Sequence, residues 1–246
     1  MLGADHPDTL TTRDNLAGAY RVVGRLGEAI DVFEQVLDDR RRVLGDEHPD
    51  TLTTRDNLAG AYRVAGRVNE AIDVFEQVLV ERRRVLGDEH PDTLTTRNNL
   101  AVAYQAAGRL NKAIDVYEQV LADCRRLLGD EHPHTLGARN NLASAYREAG
   151  RVGEAIDVYE GVFTDCRRLL GDEHPHTLTT RNNLANAYRE AGRVDEAIDV
   201  YEQVLVDRRR VLGDEHPDTL TTRNNLAVAY QVAGRVDCRR SCNSPV

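Results

Sequence analysis

The chain has 246 residues, 41% of them hydrophobic, a net charge of −9, no Trp, three Phe and a single Lys, Lys112, among 32 basic residues. There is enough apolar material for a core, and the abundance of Ala, Leu, Val, Asp and Glu favours helix over strand. The acidic balance excludes generic attraction to nucleic acid or to an anionic membrane surface, and no apolar run approaches the ~20 residues that span a bilayer.

In chain order, the N-terminus "MLGADHPDTL" carries neither a basic segment nor an apolar one, so no leader is expected. Met1 aligns with Val43 of a later linker, so the chain opens within a repeat boundary, as a trimmed array would, or a longer reading frame entered at a valine codon. His6, His48, His90, His132, His174 and His216 then stand 42 residues apart every time. A fixed period of this size marks a solenoid or a propeller, and strand alternation is absent, which leaves the helical solenoid.

The second unit, Asp46 to Gly87, shows what one period contains. Pro49 suits a first helical position, and Asp46, Glu47 and Asp50 place negative charge near the positive end of a helix dipole. Leu52, Leu58, Ala59, Ala61, Tyr62 and Ala65 recur at helical spacing up to Gly66, which can take the left-handed conformation that ends a helix. After Arg67 a second pattern begins, with Val68, Ala71, Ile72, Phe75, Val78, Leu79 and Leu86 on one side and Glu70, Asp73, Glu76 and Gln77 on the other. Arg82, Arg83 and Arg84 fall in its last turns and Gly87 closes it. One unit is therefore a helical hairpin, which needs like neighbours to bury its apolar face. The sixth unit keeps its first helix to Gly234 and then departs in "RVDCRRSCNSPV", as though a second helix had been excised, which would leave Leu226, Ala229 and Tyr230 facing water.

Within each unit the string Leu58, Ala59, Tyr62, Gly66, Ala71, Phe75 resembles the tetratricopeptide repeat (TPR) pattern, and the 42-residue length is similar to the TPRs of kinesin light chains and of bacterial arrays of that type. The resemblance implies an all-α, right-handed superhelical solenoid of antiparallel helix pairs over residues 2–236. It would comprise five hairpins and an unpaired sixth first helix, followed by a non-repeat tail at 237–246. The family's aromatic at the fourth motif place is replaced by Arg13, Arg55, Arg97, Arg139, Arg181 and Arg223, so that contact must differ.

The residues with chemical potential are as periodic as the rest. Cys124 and Cys166 share one place in consecutive repeats, and stacked helices would hold them roughly 8–10 Å apart, too far for a disulfide, whose Cα atoms lie within about 7 Å. Reduced thiols fit a cytoplasmic protein; Cys238 and Cys242 in the tail are a weak metal signal. The histidine ladder, including His132-Pro133-His134 and His174-Pro175-His176, cannot converge on one ion, so helix-start packing or solvent exposure is the reading for it. Repeated carboxylates such as Glu70, Asp73 and Glu76 lack the single asymmetric constellation that catalysis needs. Neither enzyme nor cofactor is expected. The arginine runs at 40–42, 82–84, 125–126, 167–168 and 208–210 read as a solvated face that complements helix dipoles, interrupted by Asp38, Asp39, Glu81, Asp123 and Asp207.

Differences between copies gather at four places of the first helix. These are Asp14, Asp56, Asn98, Asn140, Asn182, Asn224; Gly18, Gly60, Val102, Ser144, Asn186, Val228; Arg21, Arg63, Gln105, Arg147, Arg189, Gln231; and Val22, Val64, Ala106, Glu148, Glu190, Val232. The TPR resemblance places them on the concave surface, beside an unvarying row of Asn15, Asn57, Asn99, Asn141, Asn183 and Asn225. An asparagine offers donor and acceptor, so such a row can hydrogen-bond an extended peptide backbone without reading its sequence, while the neighbouring Arg21, Arg63, Gln105, Arg147, Arg189 and Gln231 would set specificity. The row can equally bond neighbouring helices. The expected function is a scaffold or adaptor that binds a peptide or protein segment in the groove, with no nucleic-acid or membrane partner. The alternative is a self-assembling module, homo-oligomeric through its complementary repeat ends.

Overall fold

The computed structural model describes residues 3–234. Among them are eleven α-helices and no strand: α1 (Pro7–Val22), α2 (Leu26–Leu44), α3 (Pro49–Val64), α4 (Val68–Leu86), α5 (Pro91–Ala106), α6 (Leu110–Leu128), α7 (Pro133–Glu148), α8 (Val152–Leu170), α9 (Pro175–Glu190), α10 (Val194–Leu212) and α11 (Pro217–Val232). Odd-numbered helices are the first members of the hairpins, even-numbered ones the second. The tail at 237–246, with Cys238 and Cys242, lies outside the described residues.

Each first helix starts on a proline whose missing N–H costs nothing at that position. The residue before it supplies the cap. His48 Nδ1 accepts the backbone N–H of Asp50 at 3.2 Å, and the same bond recurs at His6, His90, His132, His174 and His216. The histidine ladder is thus a ladder of helix caps. Between α3 and α4 the chain reverses through Gly66, whose φ of 81° is open to glycine at little cost. Arg67 closes that corner: its guanidinium lies 3.9 Å from the centre of the Tyr62 ring and donates to Glu70, while the Tyr62 hydroxyl donates to Glu34 of the preceding hairpin at 2.8 Å. Glu76 likewise accepts from the Tyr104 hydroxyl, so the periodic carboxylates Glu70 and Glu76 serve as ties within and between hairpins.

Contact clustering divides the chain into two compact units, Met1–Asp123 and Cys124–Val246, with the division falling inside α6. In the first, α1 packs on α2, α2 on α3, α3 on α4 and α4 on α5, and the first helices α1, α3 and α5 also meet in sequence. In the second the same pattern joins α7, α8, α9, α10 and α11. Small residues let the helices close in: Ala59, Ala61 and Ala71 are fully buried around Phe75, as are Ala185, Ala187 and Ala197 around Tyr201.

The arginine runs depart from the sequence reading. Arg83 and Arg84 are exposed, the former paired with Asp88 at 2.7 Å and the latter with Glu47. Arg82, by contrast, is 3% exposed. Its position is four residues beyond Val78 and three beyond Leu79, so helical phase turns it into the seam between hairpins. There it donates to the Asp92 carbonyl at 2.9 Å, to Thr96 Oγ1 at 2.6 Å and to Thr53 Oγ1 at 3.1 Å, with Asp56 Oδ1 at 3.6 Å. Arg40 makes the equivalent bonds to Asp50, Thr54 and Thr11, with Asp14 at 3.7 Å. At the same place in the second unit stand Cys124 and Cys166, both buried free thiols, and then Arg208, buried once more. The arginines that replace the family aromatic also become ties: Arg13 reaches Asp39 at 2.7 Å, Arg97 reaches Asp123 at 2.5 Å and Arg181 reaches Asp207 at 2.7 Å. Four of the carboxylates that interrupt the arginine stripe, Asp39, Glu81, Asp123 and Asp207, are partners of such arginines, whereas Asp38 lies 3.8 Å from Arg41.

Candidate functional site

The first-helix face carries the asparagine row and its neighbours. Asn57, Asn99, Asn141, Asn183 and Asn225 are half-buried, and Asn15 on α1 is exposed. In the first unit their amides are already engaged. Asn57 Nδ2 donates to Asp14 Oδ2 at 2.9 Å and Asn99 Nδ2 to Asp56 Oδ2 at 2.8 Å, each across to the preceding first helix. A carboxylate only accepts, so the orientation of both amides is dictated and their Oδ1 atoms face away from it. In the second unit Asn183 Nδ2 lies 3.4 Å from Asn140 Oδ1. Asn57, Asn99 and Asn183 are therefore ties between neighbouring first helices.

At the variable place one residue earlier, Asn98 and Asn140 are half-buried and Asn224 is exposed. Asp14, Asp56 and Asn182 are buried, and Asp56 accepts from Thr96 Oγ1 at 2.9 Å as well as from Asn99. Burial pushes the Asp56 carboxyl above its usual range, opposed by the Arg82 charge and by the hydrogen bonds from Thr96 and Asn99. Its variation belongs to the seam. Where the first unit has Arg82 and Asp56, the second has Cys166 and Asn140 at the equivalent places, and the Cys166 thiol bonds Thr180 while burial raises its pKa.

The remaining variable places do share a face, because residues three and four apart on a helix are neighbours. Arg21 is half-buried, with Nη1 3.6 Å from where a Cβ on Gly60 would stand, so its guanidinium lies over the next first helix. Arg63 follows one repeat on; burial lowers its pKa and the charge of Arg21 lowers it further. No carboxylate lies within ion-pair distance of either among the described residues. Gln105 Oε1 accepts from the Tyr117 hydroxyl at 3.3 Å. In the second unit the same face is internally neutralised: Arg147 donates to Glu190 at 2.6 Å and sits 3.6 Å from Glu148, and Arg189 lies 3.9 Å from Glu190. Gln231 on α11 is exposed.

The sequence profile of the tetratricopeptide repeat matches residues 8–79, 56–126, 112–162, 134–206 and 192–237. The chain belongs to the tetratricopeptide repeat family. A solved structure from Podosopora anserina, the nearly identical TPR-like repeats of a candidate kinesin light chain, is similar over 84% of this chain and 98% of that one, at 36% identity and a TM-score of 0.70. BtubC (BKLC) from P. vanneervenii is similar over 89% of this chain and 88% of that one, at 24% identity and a TM-score of 0.72. NprR in complex with its cognate peptide NprX shares the fold at 16% identity and a TM-score of 0.67, over 98% of this chain and 66% of that one. Among curated proteins none matches the chain in sequence.

Within this TPR chain, sequence reasoning missed the seam formed by Arg40, Arg82, Arg208 and their partners. The signal was present in paired differences between copies: Asp with Arg at 14 and 40 and at 56 and 82, Asn with Cys at 140 and 166. At 140 and 166 the charge and its counter-charge are both gone, whereas in the fifth repeat Arg208 is kept opposite Asn182.

Proposed function

We propose that the chain is a protein-binding scaffold whose working surface is the first-helix face, and that in the first unit this face takes a segment bearing carboxylates. The observation that carries the reading is the Arg21–Arg63 pair: two half-buried guanidiniums that repel each other, with no counter-charge beside them. A carboxylate placed between them would relieve the repulsion and could accept from both forks. Asn57 and Asn99 then act as acceptors, because their Nδ2 atoms are committed to Asp14 and Asp56 and their Oδ1 atoms are left for backbone N–H groups of the bound segment. Binding of a peptide by NprR is a precedent on the same fold, not evidence about this ligand.

The test is selection of peptides from a random displayed library against the full chain, followed by titration against the Arg21→Gln/Arg63→Gln double variant. Selected peptides should be rich in Asp and Glu and should bind the variant at least about tenfold more weakly, a loss of about 1.4 kcal/mol, with helicity unchanged. Peptides that bind both proteins alike would end this reading.

A second reading, association between copies through repeat ends, draws on α1, where Leu16 is 45% exposed while Leu58 at the same place in α3 is 5% exposed. Light scattering at rising concentration separates the two, since a constant monomer mass removes the second.

A further inference from the structure

The six histidine caps are chemically alike but are not equally protected against acid. Each works through an unprotonated Nδ1 that accepts a backbone N–H at 3.2 Å. A proton on that nitrogen turns the acceptor into a donor, so the cap and the proton exclude each other.

Four first helices have a carboxylate two residues on: Asp8, Asp50, Asp92 and Asp218. In the first unit these carboxylates lie 3.7, 4.0 and 3.9 Å from Nδ1 of His6, His48 and His90, where a protonated ring finds an ion-pair partner in place of its lost hydrogen bond. They also keep a negative charge at the positive end of the helix.

In α7 and α9 the same place holds a second imidazole, and neither helix has an acidic residue in its first turn. The rings of His132 and His134 stack at 5.3 Å with 12° between their planes, and those of His174 and His176 at 5.6 Å with 13°. Carboxylates in the adjoining loops are already held by arginines. Asp130 pairs with Arg125 at 2.9 Å and Glu131 with Arg168 at 2.7 Å; Asp172 pairs with Arg167 at 3.0 Å and Glu173 with Arg210 at 2.9 Å. Taking up protons there removes the cap, sets two like charges face to face and places both at the positive end of a dipole.

We propose that the His132–His134 and His174–His176 pairs are an acid-sensitive device that loosens the starts of α7 and α9 while the first helices of the first unit stay capped. The direction follows from the geometry: Nδ1 of His132 or His174 cannot both accept the backbone N–H and carry a proton, so a proton taken up there removes the cap. The first turn of α7 also seats Leu136 against Val162 and Cys166, so its loosening opens that cluster.

Hydrogen exchange of the full chain at pH 7.5 and 5.5, expressed as protection factors, tests this. The first turns of α7 and α9 should lose protection about tenfold more than those of α3 and α5, and the His134→Asp/His176→Asp double variant, which restores the residue used by the other repeats, should abolish the difference. Equal losses in all four helices, or a difference that survives in the double variant, would overturn the proposal.

Discussion

The two units close the same seam in two ways. In the first, Arg82 is buried against Asp56 and bonded to Thr53, Thr96 and the Asp92 carbonyl; in the second, Cys166 takes the arginine's place in the repeat and bonds Thr180, and Asn140 takes that of the aspartate. One solution gathers charge that must be fully matched, the other removes charge from both sides. The fifth repeat holds neither: Arg208 keeps its bonds to Thr222 and the Asp218 carbonyl, but Asn182 stands where Asp56 stood, and burial lowers the arginine's pKa. The lesson is that near-identical repeats are not interchangeable, because a seam tolerates two charges or none better than one.

That comparison can be broken most sharply at Asp56. Asp56→Ala strands the Arg82 charge in the seam and should cost about 3–5 kcal/mol, whereas Asn140→Ala at the corresponding place should cost about 1 kcal/mol. Urea unfolding midpoints of the two variants measure the difference, and equal midpoints would show that the buried pair is not what holds the first unit. Next in size, Asn182→Asp supplies the missing counter-charge of Arg208 and should stabilise by about 1.5–3 kcal/mol. A thermal midpoint that does not rise would mean that the hydroxyl and carbonyl around Arg208 already satisfy it.

Smaller still is the cap. His90→Ala should cost about 1 kcal/mol, and His90→Asn should recover most of it, since a side-chain acceptor is all that the first turn of α5 requires. Smallest per residue are the exposed ties of the hairpin corners. Arg67, Arg151 and Arg193 hold Glu70, Glu154 and Glu196 below the usual carboxylate range through side-chain hydrogen bonds. Because these values are depressed in the folded chain, their contribution is complete above about pH 4.5 and is lost as the pH falls through the lowered values. A decline of the thermal midpoint below pH about 4.5 that is blunted by 1 M salt would bear this out, because exposed pairs are screened.

The helices were legible because their signals are local. Pro49, Gly66, Gly87 and the apolar spacing between them mark α3 and α4 almost to the residue. The seam was not, because Arg82, Arg83 and Arg84 look alike in a string and only the phase of α4 separates the buried one from its exposed neighbours. The asparagine row was legible as a pattern but not as a role: an amide's partner one repeat away, such as Asp14 for Asn57, depends on how neighbouring helices stack. The histidine caps were hidden for another reason, since histidine is an unusual residue at a helix start and its neighbours Asp46, Glu47 and Asp50 offered a sufficient account of the charge there.

Within each unit every helix meets only the helix beside it and the next first helix along. The longest bonds named above join residues 43 apart, Asn57 to Asp14 and Asn99 to Asp56 among them. No such contact has to wait for a distant part of the chain to be made, so the loop-closure cost of folding stays low and each hairpin can add to the last as it emerges during synthesis. The same economy has a hazard, for a hairpin that can dock on its own neighbour can dock on the equivalent neighbour in another nascent chain.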